Sequence, residues 1–417
     1  MTTNIKQKIK EANSEALDRM IAGDPVLVDI APAGEVIPGL EDKMILHSGP
    51  PVDWQQMNGA QKGACIGMVL FEGWAKTKDE AVKLLESGEI TLDCNHHHQA
   101  VGPMAGTITE STWVFVVENR AFGNLAFCRQ VESDQQFGNY SADAVQNLVM
   151  WRDVSAPALR AALHHMGGLP LKPIITRALQ MGDELHNRPH AASKLFATAM
   201  TVPLIEAGVS KDKLIPTLHL LANHDLFFLG LAMAAGKCIA DAARDIDYST
   251  VVVAMARNGT EFGIQVSGLG NEWFTAPAPE VRGLFLPGYG PQDAGRDIGD
   301  SAITETVGWG GFVLAGAMGI LSFVGGTPDE AFNYSRSMRQ ITVTQSPDYL
   351  IPALSFEGTA LGIDVRKVVQ TNILPIIDTA MAHKEPGHSI IGAGLVNPPI
   401  ECFKKALARF ASVYGLN

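Results

Sequence analysis

The chain has 417 residues, 46% of them hydrophobic, and a formal net charge of −12, which is enough length for two or three domains and a large buried core. Binding to a phosphate backbone wants a basic patch. With 32 Lys and Arg against 44 Asp and Glu, no Lys/Arg run and no aromatic-basic interleaving, nucleic acid is excluded as a partner and small ligands are expected. Five widely spaced cysteines without a CxxC (Cys65, Cys94, Cys128, Cys238, Cys402) suit a reducing cytoplasm.

The polar start Met1-Thr-Thr-Asn-Ile-Lys runs into an amphipathic helix ending near Met20 and lacks the apolar core of a signal peptide, so a cytoplasmic location is expected. From Pro25 to Glu132 short apolar runs (26–30, 44–46, 113–117, 124–127) predict strands, with helices over 59–75 and 79–87, giving an N-terminal α/β domain over 1–138. Within it Cys94-Asn95-His96-His97-His98 follows a strand-like 89–93. In an extended segment His96 and His98 would share a face, but structural zinc needs further ligands at defined spacing, so acid/base work or ligand hydrogen bonding competes with packing and no metal is expected. Glu118, at the end of the next strand, is either a catalytic carboxylate or half of an exposed pair with Arg120.

From Ser141 to about Arg244 the strand signals stop and helical Ala/Leu/Met spacing takes over, a helical domain over 139–246. The stretch Met181-Gly-Asp-Glu-Leu-His-Asn-Arg188 closes one of its helices before Pro189. Asp183 and His186 then lie three apart on one face, and Glu184 and Arg188 four apart on a neighbouring one, as a site or as ordinary surface ion pairs.

A C-terminal α/β domain over 247–417 opens with two strands, 251–256 and 262–266, joined by an Asn258-Gly259 turn. Arg257, Asn258 and Glu261 at that turn predict a loop that binds a planar polar ligand, in a cleft shared with the histidine run. Gly299-Asp300-Ser-Ala-Ile-Thr-Glu305-Thr306 then leads into 19 uncharged residues, 308–326. Asp300 is read as part of an anion site or as an N-cap. Seven glycines and acidic flanks make the uncharged stretch a buried helix rather than a membrane span. A last pair of helices is expected over 328–344 and 399–413. No Gly-x-x-x-x-Gly-Lys-Ser/Thr is present, and the two arginines of Ser335-Arg-Ser-Met-Arg339 sit in a helical pattern. Strands at both ends around a helical middle predict an α+β fold, multi-domain, with two α/β portions flanking a helical domain.

The segment from Met255 to Gly270 with Asn271-Glu-Trp-Phe-Thr-Ala-Pro-Ala278 resembles a signature of the AllG/YlbE/YahG-like family. His47-Ser-Gly-Pro-Pro51, Lys62-Gly-Ala-Cys65, Phe71-Glu-Gly-Trp-Ala75, His96-His-His-Gln-Ala-Val-Gly-Pro-Met104, Met181 to Arg188 and Gly299 to Thr306 extend the resemblance in order along nearly the whole chain. It implies a subunit of the oxamate carbamoyltransferase complex, cleaving the ureido acid oxalurate with phosphate to oxamate and carbamoyl phosphate in allantoin or purine nitrogen use. The implied partners are an FdrA-like and a YlbF-like subunit, in a homo- or hetero-oligomer without membrane or nucleic acid, and no cofactor. That chemistry needs cations for phosphate and carboxylate, donors for the carbamoyl oxygen and an acid for the leaving nitrogen. His97, His186 and Glu118 are the catalytic candidates; Arg257, Asn258, Glu261, Arg188, Asp300, Glu305 and His96 are the substrate-binding ones. A non-catalytic ligand-binding or scaffold subunit, or a stand-alone amidohydrolase-like enzyme, are the alternatives.

Overall fold

The computed structural model describes residues 2–131 and 134–416, with side chains from Ile5 onward. It is an α+β fold with several small sheets. The first sheet has five strands in the order β4 (Ala100–Val101), β6 (Leu125–Arg129), β5 (Trp113–Asn119), β1 (Pro25–Pro32), β7 (Leu169–Pro170). Here β5 pairs antiparallel with both β1 and β6, and its Val114 to Val117 are all buried, as expected of a strand covered on both faces. A parallel pair, β2 (Met44–His47) with β3 (Thr91–Cys94), lies beside it.

Helices follow over Ala142–Met150, Ala156–Met166, Lys172–Gln180, His190–Glu206 and Lys211–Asn223, as the Ala/Leu spacing predicts, although Pro216, read as punctuation, lies inside the last of these. The helix Leu229–Asp241 is apolar nearly all round and almost every residue is buried, which only an interior position permits. Gly230 meets Arg129 O and Phe115 of the first sheet, and Gly236 meets Ile303 on the opposite side. This helix therefore joins the first sheet to the region carrying Asp300 and Glu305.

Beyond it, four strands run in the order β10 (Phe274–Pro277), β9 (Glu261–Val266), β8 (Val252–Asn258), β12 (Ile298–Gly299). The predicted hairpin is β8–β9. Three more strands form β11 (Arg282–Phe285), β16 (Ile390–Val396), β15 (Ile377–Ala382), and β13 (Thr342–Ile351) pairs with β14 (Glu357–Ile363). Helices Pro328–Ile341 and Ile400–Tyr414 fall where expected. The uncharged 308–326 stretch is not one buried helix. It is broken into Gly310–Gly316, Met318–Ile320 and Leu321–Val324, with non-helical backbone at Val313 and Ala317, because each glycine inside a helix costs about 1 kcal/mol relative to alanine. No helix among the described residues is long and apolar enough to cross a membrane.

The largest core cluster joins Leu27 and Phe115 to Leu159, Phe196 and Leu231 and to Val251, Ile303 and Trp309, so it draws on all three sequence segments; a second belongs to the chain beyond Val252. The N-terminal helix Thr2–Ala22 is pinned to the far segment through buried Asn13, which donates to Thr250 Oγ1 (2.9 Å) and accepts from Thr250 N (2.8 Å).

Candidate functional site

The segment Met181 to Arg188 is a loop, not the end of a helix: the preceding helix stops at Gln180, and Gly182 and Leu185 have φ of 96° and 72°. A left-handed leucine costs about 1–3 kcal/mol and persists only where its surroundings hold it; Leu185 is completely buried. Asp183 and His186 therefore do not share a helix face. The Asp183 carboxylate accepts from Ala191 N (3.0 Å) and Ala192 N (2.7 Å), capping the helix His190–Glu206. Burial raises its pKa to about 6 against those hydrogen bonds. A carboxyl with a raised folded-state pKa contributes stability that is present below its unfolded value and lost as pH rises through 6. Relative to Asp183→Asn, the parent should thus lose about 3 kcal/mol of advantage between pH 4 and pH 7, read by urea denaturation at each pH; a pH-independent difference would show that this acid is not buried as described.

His186 points the other way, into the interior. Its Nδ1 lies 2.9 Å from Glu305 Oε1 and 3.1 Å from Asp378 Oδ1, and all three side chains are at most 2% exposed. Glu184, also buried, accepts from the backbone N–H of His186 (2.8 Å) and of Arg188. Glu305 is wrapped by the glycine-rich segment: Gly311 N donates to its Oε1 (2.9 Å), and Gly310, at φ 58°, passes so close that a Cβ would lie 2.1 Å from that oxygen. Burial lowers the pKa of His186, but Glu305 and Asp378 outweigh it and raise it to about 10. Burial and then Asp378 push Glu184 well above the usual carboxylate range, while Asp378, despite burial, is held below it by His186.

His186 also faces a small cavity of about 40 Å³, lined by Gln136, Asn187, Ser301, Phe323 and Ala380 among others. Strand alternation places Asp378 and Ala380 of β15 on the same side. Among the described residues, Gln136 Oε1 and Asn187 Nδ2 are buried without a hydrogen-bond partner. Asn187, Leu226 and Phe323 also line a second, more open cavity of about 300 Å³, whose other walls include Arg188, His190 and Gly319. Arg188 donates to Gly182 O (2.9 Å) and, among the described residues, forms no ion pair. Its guanidinium rests on Gly319, where a Cβ would stand 2.8 Å from Cζ. A wider groove of about 650 Å³ over Pro32, Glu110, Trp113 and Arg152 is open surface, and its arginine is closed on Asp153 at 2.6 Å. Volume alone does not choose the site; convergent buried polar groups do.

The chain matches the family model described as oxamate carbamoyltransferase subunit AllG over residues 90–301. It is 41% identical over 414 residues to the oxamate carbamoyltransferase subunit AllG of Escherichia coli K12, covering 98% of this chain and 99% of that one. The chain belongs to the AllG family. It is also 45% identical to the uncharacterized protein YahG of Escherichia coli K12, over 99% of this chain and 88% of YahG. A crystal structure of a conserved protein of unknown function from Enterococcus faecalis V583 superimposes with a TM-score of 0.96 at 43% identity, covering 99% of both chains.

In this AllG-family chain His186 and Arg188, neighbours in the 181–188 loop, line the inner and the outer cavity respectively, and Glu305, 119 positions further on, holds His186 from behind. Asp378 was missed; its only sequence signal is an acid inside the apolar strand Ile377–Ala382. Asp300 and His96 form a second buried cluster. Asp300 accepts from Gly49 N (2.7 Å), Asn95 Nδ2 (2.8 Å) and Gly102 N (2.9 Å), tying three loops together instead of capping a helix for an anion. His96 Nε2 is 3.5 Å from it, the ring edge-on to Trp273, and burial followed by nearby Lys237 lowers its pKa.

The expected ligand loop around Arg257 is structural. Arg257 is completely buried, and its N–H groups are spent on Asp297 (2.7 and 3.1 Å), Gly299 O (2.8 Å), Ser301 Oγ (3.4 Å) and Thr379 Oγ1 (2.9 Å), which leaves none for an anion. Asn258 Oδ1 accepts from Thr260 N and Glu261 N and its amide donates to Pro50 O, so it builds the turn; Glu261 accepts from Thr275 across the β9–β10 pair (2.9 Å). The histidine run is not extended but a 3₁₀ turn over Asn95–His98, so His96 points inward while His97 is exposed and bonded to Asp93 (2.8 Å), as is His98 (3.0 Å). Neither the run nor Arg257 lines the His186 cavities. Glu118 sits in β5 opposite Val26 and Leu125, outside the His186 cluster. Burial pushes the Cys94 thiol to about 12, so a thiolate nucleophile is unavailable at neutral pH; Cys94→Ser should retain most activity, and complete loss with an unchanged fold would reveal a covalent role.

Proposed function

We propose that this chain is the ligand-binding and reacting subunit of a carbamoyltransferase that uses a ureido acid and phosphate, in a cytoplasmic complex with FdrA-like and YlbF-like subunits. The reaction is oxalurate plus phosphate to oxamate plus carbamoyl phosphate, in allantoin or purine nitrogen use. A phosphate oxygen attacks the carbamoyl carbon, the bond from that carbon to the oxamate nitrogen breaks, and the nitrogen takes up a proton. Arg188 supplies the cation for a carboxylate or phosphate, as a forked donor can. The His186 centre faces the end where charge develops, and Asn187 and Gln136 offer an amide donor and an acceptor to the carbamoyl group. One observation carries the reading: His186, gripped by two buried carboxylates, lies behind a cavity whose outer extension holds an arginine with no carboxylate partner among the described residues.

The small volume of the inner cavity, about 40 Å³, favours a second reading, in which this chain binds ligand and the partner opens or completes the site. Carbamoyl phosphate formation, assayed over a panel of ureido acids with and without the FdrA-like protein, tests both. Turnover of oxalurate that His186→Asn removes supports the first; turnover that appears only with the partner and survives that variant supports the second; no turnover of any ureido acid by the assembled complex overturns the proposal.

A further inference from the structure

Buried carboxylates are costly unless paired, by several kcal/mol per ion even after relaxation. Glu184, Glu305 and Asp378 crowd a single imidazole, and among the described residues no Lys or Arg forms an ion pair with any of them. Asp378 is completely buried, yet among the described residues neither of its oxygens makes a hydrogen bond of good geometry; the 3.1 Å approach to His186 is a charge contact only. A separate observation points to a ligand beside it. Gln136, 1% exposed, and Asn187 line the same small cavity, and among the described residues Gln136 Oε1 and Asn187 Nδ2 have no hydrogen-bond partner.

We propose that His186 Nδ1, Glu305 Oε1 and Asp378 Oδ1 bind a divalent first-row cation of the Mn²⁺ class at the inner wall of the His186 cavity. The three ligand atoms lie within 4.8 Å of one another, two of the separations being 2.9 and 3.1 Å. Neighbouring ligands of an octahedral ion with bonds of about 2.1–2.2 Å stand about 3 Å apart, so the set closes on a cation with little movement. The ion takes the place of the proton that His186 Nδ1 holds between Glu305 and Asp378, and two carboxylates then balance its charge. An oxygen-rich set with one nitrogen and open positions toward the cavity suits Mn²⁺ better than structural zinc, which takes four closed ligands rich in sulfur and nitrogen. Gln136 and Asn187 line the cavity that His186 faces and are among the polar groups available there to water or a ligand oxygen on the ion. In the alternative trio, Asp93, Cys94 and His97, the carboxylate is shared with a second histidine outside the set, His98. With Glu305 119 positions beyond His186 and Asp378 73 positions further on, no spacing motif announces the set, which is why the sequence led to an expectation of no metal.

The test needs neither substrate nor partner, so its failure leaves the carbamoyl reading standing and the reverse also holds. The chelator-stripped full chain is titrated with MnCl₂ and free Mn²⁺ is followed by its EPR signal. One Mn²⁺ per chain is expected, with affinity at least tenfold lower in Glu305→Gln and in Asp378→Asn and unchanged in Asp93→Asn. Absence of binding at millimolar Mn²⁺, or binding unaltered by Glu305→Gln, overturns the proposal. Should the acid variants fail to fold, the bound wild-type ion decides: coupling of the manganese spin to an imidazole nitrogen is expected, and its absence overturns the site.

Discussion

His186→Asn should lower carbamoyl phosphate formation by the assembled complex about 10²–10⁴-fold, the range associated with one positioned acid/base group, with a much smaller change in KM. The substitution is chosen for its geometry. His186 uses Nδ1 toward Glu305 and Asp378, and an asparagine amide nitrogen falls near that position, so a hydrogen bond to Glu305 survives while the ring and its positive charge are lost. Three buried carboxylates then face one another without the imidazole, so some loss of stability accompanies the variant. Circular dichroism at the assay temperature separates the two effects: a folded, inactive variant fits the account, whereas a folded variant with parental kcat removes His186 from the chemistry.

Arg257→Ala should destabilise the chain by about 3–5 kcal/mol, the usual cost of breaking a buried ion pair from one side. Against a total of about 5–15 kcal/mol that is enough to depress the yield of folded protein. Asp297 would be left buried with only Thr379 donating to it, and Gly299 O and Thr379 would each lose a partner. Arg257→Lys keeps the charge but not the paired contacts to both Asp297 oxygens, and should fall between. Urea denaturation reads the effect. A variant within about 1 kcal/mol of the parent that has lost anion affinity would restore the arginine to a binding role.

Arg257 also shows what a sequence does and does not disclose. The β8–β9 hairpin around it was legible, because alternating apolar residues about Asn-Gly leave few other folds for that stretch. Whether a turn arginine greets solvent or an internal acid depends on Asp297, 40 residues on, and no local pattern carries that information. The helical middle was legible for the same local reason as the hairpin. The glycine-rich stretch was not: its lack of charge reported burial correctly, but the glycines serve to wrap Glu305 rather than to line a helix face. His186, Arg188 and Glu305 could be picked out as polar groups at the ends of apolar runs, since burying such groups needs a reason. Their meeting with Asp378 is a tertiary fact. The histidine triplet drew attention by composition, yet its 3₁₀ turn sends successive rings in different directions and hands two of them to Asp93.

The claim that ligand binds between Arg188 and His186 is tested most directly by calorimetric titration of oxamate into the assembled complex, comparing the parent with Arg188→Gln. An arginine that meets the carboxylate predicts affinity at least tenfold weaker in the variant, on the order of 1.4 kcal/mol or more, with the melting temperature little changed because Arg188 is half-buried and makes no ion pair among the described residues. Equal oxamate affinity in the two proteins would contradict the account and move the site elsewhere.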